Sequence, residues 1–541
     1  MNRLWSRPLW MHAVALGVVL VCVVPIVGVH ASLSADEGAA IVQARTLSRD
    51  GRWLRPHPLS AVDPDGRMYP LENSGEGPAG IAPFVRHPLY ALMLAAADRV
   101  GGIAAMVLLS IAGTLGAATT AARLAGRRNA SLARPSLWAV GLASPLVFDS
   151  YLVIAHALGA ALAGGAMLAA LAFLDRRRWP ALVTAAAAVA VTVLLRSEGV
   201  LFGGALAAVV GVSAWRRSRA VAVVSAAAIA GAAAIAYLGE AAWQAAILGG
   251  RGSAAGLPDA SGSRLAAFTA TWLSPGAGPR RLGEAALVVM LIVSVAAAVE
   301  LRRGRARTAT ALAAAAAGLA VVRLLAGPAD VIPGLLVAFP LVAIGLVATR
   351  RLDPLAAVAG LFALGVLATQ YGRGGTTEWG GRYFALGLPI AVPVFVGAVH
   401  ERLVLLARNA RLAITAALCI QAAALAIVAV ASLRVGHQLT AGVVDAAARA
   451  PSSRNAVVLT GNGAVPRLAW SLLDRQRWLL VQDVDVRTLG RRLRDARIDE
   501  VTVVDPIADT RLRSLPGYER VRDVPTGRAT RWRVTVLRAT T

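Results

Sequence analysis

Asp36-Glu37 sets two carboxylates directly behind the first long apolar run of the chain, and a polar stretch then leads to Arg86-His87-Pro88-Leu89-Tyr90. Carboxylates take or give protons, imidazole relays them, and guanidinium groups hold anionic oxygens in a fork. At a membrane surface such a set points to chemistry on a lipid-linked substrate. Further ionisable groups fall at the ends of later apolar runs: Asp149, His156, Arg196, Glu198, Glu284, Arg323, Glu378 and Arg382. Charge within or beside a spanning segment is costly, so each of these positions calls for a reason.

Apolar helices must position these groups. The chain has 541 residues, of which 57% are hydrophobic, and its mean hydropathy is positive. A soluble domain of this size needs far more polar surface. The apolar runs recur at lengths near the ~20 residues that a spanning helix requires. The net charge is +25, and every basic residue is Arg. The arginines are scattered between apolar runs, as in Arg127-Arg128, Arg176-Arg177-Arg178, Arg216-Arg217, Arg302-Arg303 and Arg350-Arg351. Clusters on alternate connections are what cytoplasmic loops carry. A nucleic-acid surface would gather them on one folded domain, so no nucleic-acid partner is expected. Cys22 and Cys419 each lie inside an apolar run, which implies neither a disulfide framework nor a metal site.

With the Arg clusters as inside markers, the expected fold is an all-α polytopic membrane protein of about thirteen transmembrane helices. The first runs from Trp10 to Val29; its Arg-rich head and Val29-His30-Ala31 resemble a signal peptide with a cleavage site, but the apolar core is long for that and reads as an uncleaved anchor. Later spans lie near 99–122, 135–150, 152–174, 180–195, 199–215, 220–240, 282–301, 308–326, 335–349, 354–370, 384–399 and 412–433. This count gives a transmembrane domain over 1–433 and leaves the loop 31–87 on the outer side. A linker and a small extracytoplasmic α/β domain occupy 434–541. There, Ala456–Thr460, Trp478–Val481, Val501–Val504 and Trp532–Leu537 read as strands, and Val486–Ala496 as a helix. Thr460-Gly461-Asn462-Gly463 matches neither a dinucleotide fingerprint nor a P-loop, and reads as a tight strand-to-helix turn.

On this topology the polar groups gather at one membrane face. A transporter would place binding groups near the midplane, at broken helices related by a repeat. An enzyme working at the outer face fits the arrangement better. A lipid or glycolipid transporter and a non-catalytic envelope scaffold are the alternatives. Ser34-Ala35-Asp36-Glu37 also has the spacing of a capping box, in which Glu37 reaches back to Ser34. Spacing alone leaves capping and catalysis open, and both hold if Glu37 caps while Asp36 faces substrate.

The ordered motifs resemble those of the GT-C superfamily of membrane glycosyltransferases. The nearest branch holds the protein O-mannosyltransferases and the aminoarabinose transferases. The resemblance rests on Asp36-Glu37 after the first helix, Gly51-Arg52-Trp53 closing an amphipathic segment, and His87-Pro88-Leu89-Tyr90. Arg196-Ser197-Glu198-Gly199 and Trp379-Gly380-Gly381-Arg382-Tyr383 extend it, over roughly residues 10–433. The chain departs from the pattern in having His87 where a second Pro is usual, and Arg86 near where a Glu is usual. Asp63, Asp65, Glu72 and Glu76 are then the candidates for a second acid.

The resemblance implies transfer of a sugar, hexosyl or pentosyl, from a polyprenyl-phosphate donor to an acceptor hydroxyl at the outer face of the cytoplasmic membrane. Asp36, with Glu37, is the expected catalytic acid pair, and Asp36 takes the acceptor proton. Arg382, then Arg196 and Arg86, are expected to hold the donor phosphate. His87, Tyr90, Glu198, Glu378 and His156 are expected substrate contacts, although packing is the plainer role for Tyr90 and for the helix-end His156. The expected partners are the lipid-linked sugar donor, membrane lipid, and a glycan, lipid or protein acceptor. No metal and no cofactor are expected, because no His or Cys cluster has ligand spacing.

Overall fold

The computed structural model describes residues 7–71, 75–77, 80–249, 263–276, 280–369, 379–451, 456–482 and 484–540. Among them, eight helices are long and apolar enough to cross a membrane: Leu9–Val27, Pro88–Arg128, His156–Arg176, Arg219–Leu248, Arg281–Arg302, Ala306–Leu325, Arg382–Leu403 and Arg408–Arg449. Three shorter apolar helices join them, Trp179–Leu195, Gly199–Trp215 and Pro354–Thr369. The protein is a polytopic helical membrane protein with a small sheet region near its C-terminus.

Two expected spans are interrupted. The run expected over 135–150 is helix Ala133–Trp138, a π turn Ala139–Ala143 and helix Leu146–Asp149. The run expected over 335–349 is helix Leu335–Ala338 followed by Leu341–Ala348. In each case a proline, Pro145 or Pro340, precedes the second piece, where its missing N–H costs nothing at a helix start. Hydropathy does not register such breaks. Helix Pro88–Arg128 also departs from regular geometry, at Gly101 and Gly102, the latter with φ +59. Only glycine adopts that conformation without strain.

The chain divides into two compact units. The first holds residues 1–27, 107–241 and 255–433, and the second holds 28–106, 242–254 and 434–541. The first unit is a helical bundle closed by small residues. A Cβ on Gly113 would lie 2.5 Å from the Leu158 amide nitrogen, and one on Gly164 would lie 2.3 Å from the Thr120 hydroxyl. Buried Ala117, Ala121, Ala160 and Ala163 continue this close packing. Such seams let helix backbones approach where lipid offers no hydrophobic drive.

The second unit is built on a five-stranded sheet. Its strands are β1 (Val457–Thr460), β2 (Arg477–Leu480), β3 (Glu500–Pro506), β4 (Tyr518–Val524) and β5 (Trp532–Ala539). Their order is β2-β1-β3-β5-β4; β1 pairs parallel with β2 and β3, and the other pairs are antiparallel. Amphipathic helix α1 (Val486–Asp495), capped by Asp485, buries Leu489 and Leu493 in the core. Strand β4 was not legible: Tyr-Glu-Arg-Val-Arg-Asp-Val exposes five consecutive residues at the sheet edge, so no alternation marks it.

The first polar loop completes this core. Leu59, Val62 and Met68 are buried in one cluster with Val457, Leu459, Leu479 and Val501, and the Leu480 amide donates to the Met68 carbonyl at 2.9 Å. Asp63 shapes the loop segment. Its carboxylate accepts from the amides of Arg67 and Met68 and bonds His57 Nε2 at 2.9 Å. Burial pushes this carboxyl upward, but the His57 contact and the two amides outweigh it and hold it below the ordinary Asp value.

Asp505, at the end of β3, behaves in the opposite way. Burial raises its carboxyl to about 6, only partly offset by hydrogen bonds from the Gly461 amide and the Thr460 hydroxyl. A carboxyl raised on folding favours the native state below its unfolded pKa and loses that contribution as pH rises through about 6. Asp505→Asn keeps an acceptor for both donors and removes the buried charge. It is expected to stabilise the full chain at pH 7.5 by about 1–3 kcal/mol. Hydrogen exchange of β3 peptides should show stronger protection in the variant at pH 7.5, and none of the wild-type change between pH 5 and 7.

Candidate active site

In the second unit, Ser34 begins helix α2 (Ala35–Arg45) with a complete capping box. The Ser34 side chain accepts from the Glu37 amide, and Glu37 Oε2 accepts from the Leu33 and Ser34 amides at 2.8 and 3.4 Å. Glu37 is 3% exposed and is the capping acid. Asp36, one residue earlier in the same turn, keeps half of its side chain exposed, and its Oδ1 lies 3.9 Å from Arg467 Nη1. The helix dipole favours an ionised carboxylate in this first turn. The pair thus splits into a buried structural acid and a half-exposed one.

Arg86 is exposed, and His87 beside it is buried with φ +56, a conformation that non-glycine residues rarely adopt. The His87 carbonyl accepts from the Tyr90 and Ala91 amides, which starts helix Pro88–Arg128 with proline at its first position. Tyr90 is buried, only 2% exposed. Among the candidate second acids, Asp63 is buried in its turn, whereas Asp65 is exposed, 3.9 Å from Arg492. Glu72 lies outside the described residues, as does the side chain of Glu76.

In the first unit, the connection between helices Trp179–Leu195 and Gly199–Trp215 carries Arg196 and Glu198. Arg196 donates through Nε and Nη2 to the two oxygens of Glu198, at 3.1 and 2.7 Å. Burial would raise the Glu198 carboxyl, but the Arg196 guanidinium, with a smaller contribution from His156, holds it at about 2. His156 opens helix His156–Arg176, and its Nδ1 lies 3.8 Å from Asp149 Oδ2, both side chains being almost fully buried.

Arg382 starts a 3-10 turn, Arg382–Gly387, that packs on the same helix. A Cβ on Gly159 would lie 2.7 Å from Leu386 and 3.3 Å from the Arg196 side chain. The turn is reached through Gly380 and Gly381, with φ +76 and +70. A Cβ on Gly381 would also lie 2.6 Å from Thr271, so both glycines are required where they stand. The Arg382 guanidinium lies 5.2 Å from the Tyr383 ring and donates to its hydroxyl at 3.4 Å. Glu378 lies outside the described residues.

No protein-family model matches the chain, and no curated protein matches it. Among solved structures it is similar to the crystal structure of ArnT from Cupriavidus metallidurans bound to undecaprenyl phosphate. That likeness has 12% identity and a TM-score of 0.52, and covers 97% of each chain. The apo form of the same protein matches at 12% identity and a TM-score of 0.52, over 96% of this chain and 97% of that one. The archaeal oligosaccharyltransferase AglB from Archaeoglobus fulgidus, in complex with an inhibitory peptide and a dolichol-phosphate, matches at 11% identity and a TM-score of 0.47. It covers 92% of this chain and 69% of that chain. This chain shares the overall fold of the ArnT structures.

Within this fold, one pairing and one residue beside the motif residues were not legible in the sequence. Asp149 was visible as a helix-end acid, yet nothing in its spacing marked the pairing with His156. Arg467 lies in the tail, 3.9 Å from Asp36, with no motif around it. Only the close approach at Gly38 brings it there, where a Cβ would lie 1.8 Å from the Arg467 carbonyl oxygen.

Proposed function

We propose that this protein is an integral membrane glycosyltransferase that moves a sugar from a polyprenyl-phosphate donor to an acceptor hydroxyl, at the outer face of the cytoplasmic membrane. The observation that carries the reading is the division of labour in the first helical turn: Glu37 is occupied in capping, while Asp36 stays half-exposed in a GT-C fold. The Arg-rich connections support the orientation.

In the proposed reaction the acceptor oxygen bonds to the anomeric carbon as that carbon's bond to the phosphate oxygen breaks. The electron pair leaves with the polyprenyl phosphate, and the hydroxyl proton passes to Asp36. A guanidinium fork stabilises the anionic leaving group. Arg382 is assigned this role first, followed by Arg196, whose Nε and Nη2 donate to Glu198. Arg86, exposed two residues before helix Pro88–Arg128, is assigned to the donor phosphate as a further contact. His87, Tyr90 and His156 are assigned as substrate contacts, and the apolar helices to the prenyl chain. Hexosyl and pentosyl donors both satisfy this chemistry.

Mass spectrometry of envelope glycans and glycolipids in a strain lacking this protein tests the proposal. A species should disappear by the mass of one sugar residue while its unglycosylated acceptor accumulates. An unchanged profile, or loss of transport with glycosylation intact, overturns the reading.

A further inference from the structure

Helix α2 and the turn after it lie along tail residues 463–474 within the second unit. The Gly38 backbone meets the Arg467 carbonyl, Arg45 stacks 4.3 Å above the Trp470 ring, and Arg49 and Arg55 both bond Asp474 at 2.8 Å. One of these contacts differs from the rest. Arg467 is buried, with only 10% of its side chain exposed, and its Nε donates to the Gly463 carbonyl at 3.1 Å. With Nε bonded to the Gly463 carbonyl, its Nη1 lies beside Asp36 Oδ1. At 3.9 Å the contact is Coulombic rather than a hydrogen bond. The other contacts join groups to which the proposed reaction gives no role.

We infer that Arg467 is a positioning residue for the transfer: the tail supplies a fixed cation that orients the Asp36 carboxylate toward the acceptor hydroxyl. The inference rests on Asp36 being the base, as argued above. It makes the tail part of the reacting assembly and gives the Gly461–Gly463 turn a purpose, that of anchoring the guanidinium. A flexible Lys at this position would deliver the charge without the Nε anchor.

Complementation of the deletion strain tests this, with the rate of appearance of the missing glycosylated species as readout and membrane protein levels matched by immunoblot. Arg467→Met keeps the aliphatic stem and removes the charge. It is expected to lower the rate about 10–100-fold, the size of effect that misplacing a reacting group produces. Arg467→Lys should recover part of that loss. Asp474→Ala, which cuts two ion pairs of the same docking face, should retain the wild-type rate, since exposed pairs contribute little. A wild-type rate in Arg467→Met with Asp36→Asn inactive overturns this inference alone. An equal loss in Asp474→Ala also overturns it, leaving docking as the whole role. Full product from Asp36→Asn overturns the base assignment itself, and the inference with it.

Discussion

Asp36→Asn is expected to abolish the glycosylated product while leaving the protein in the membrane at normal level. A positioned general base contributes ~10²–10⁴ in rate, and the amide cannot accept the proton. The fold should tolerate the change. Asp36 is half-exposed, and the cap of its helix rests on Ser34 and Glu37, which the substitution leaves untouched. Rates of product appearance in the complemented strain, alongside membrane protein levels, decide the matter; a rate within a factor of three of wild type would rule Asp36 out as base. Glu37→Gln offers a contrast. It keeps an oxygen for the Leu33 and Ser34 amides, so any loss of rate should be far smaller.

Glu198→Ala is expected to destabilise the protein by about 3–5 kcal/mol, because it leaves the largely covered Arg196 guanidinium without its counter-charge. The pair is nearly dry, with side chains 15% and 5% exposed, and both carboxylate oxygens are engaged. The sign of the pH dependence follows from the depressed carboxyl. Its contribution is fully present above the unfolded Glu value and is lost as pH falls through about 2, so the wild-type pair survives any pH at which the membrane protein is handled. Thermal unfolding in nanodiscs, followed by tryptophan fluorescence, measures the effect. Replacing both partners, as Arg196→Met with Glu198→Leu, should recover most of the stability, since an apolar pair of similar volume incurs no charge burial. A single variant as stable as wild type would show that water reaches the pair.

The fold was legible where the signal is local. An apolar run of spanning length announces itself wherever it lies, and the thirteen expected spans correspond to eight long helices, three shorter ones and two broken ones among the described residues. Strands β1, β2, β3 and β5 were legible because they are apolar and buried, with Val457–Thr460 buried throughout. Edge strand β4, whose exposed side chains alternate with nothing, was not. The proline-led breaks at 145 and 340 escaped because hydropathy measures composition rather than hydrogen bonding.

For the candidate site, residue type and order named the groups but not their partners. Ser34 and Glu37 were readable as a cap because the contact spans three residues. Arg49 and Asp474 meet across 425 residues, and the loop core of Leu59, Val62 and Met68 meets the sheet across a similar distance. No periodicity encodes such pairs. By itself, then, the sequence determined the helix count, the cap and the roster of acids and guanidinium groups, all set by runs and short spacings. Tertiary structure alone decided which acid is buried and which half-exposed, that Arg196 is committed to Glu198, and that the tail reaches Asp36. These outcomes depend on which distant backbones can approach, and at Gly38 that is settled by the absence of a single Cβ.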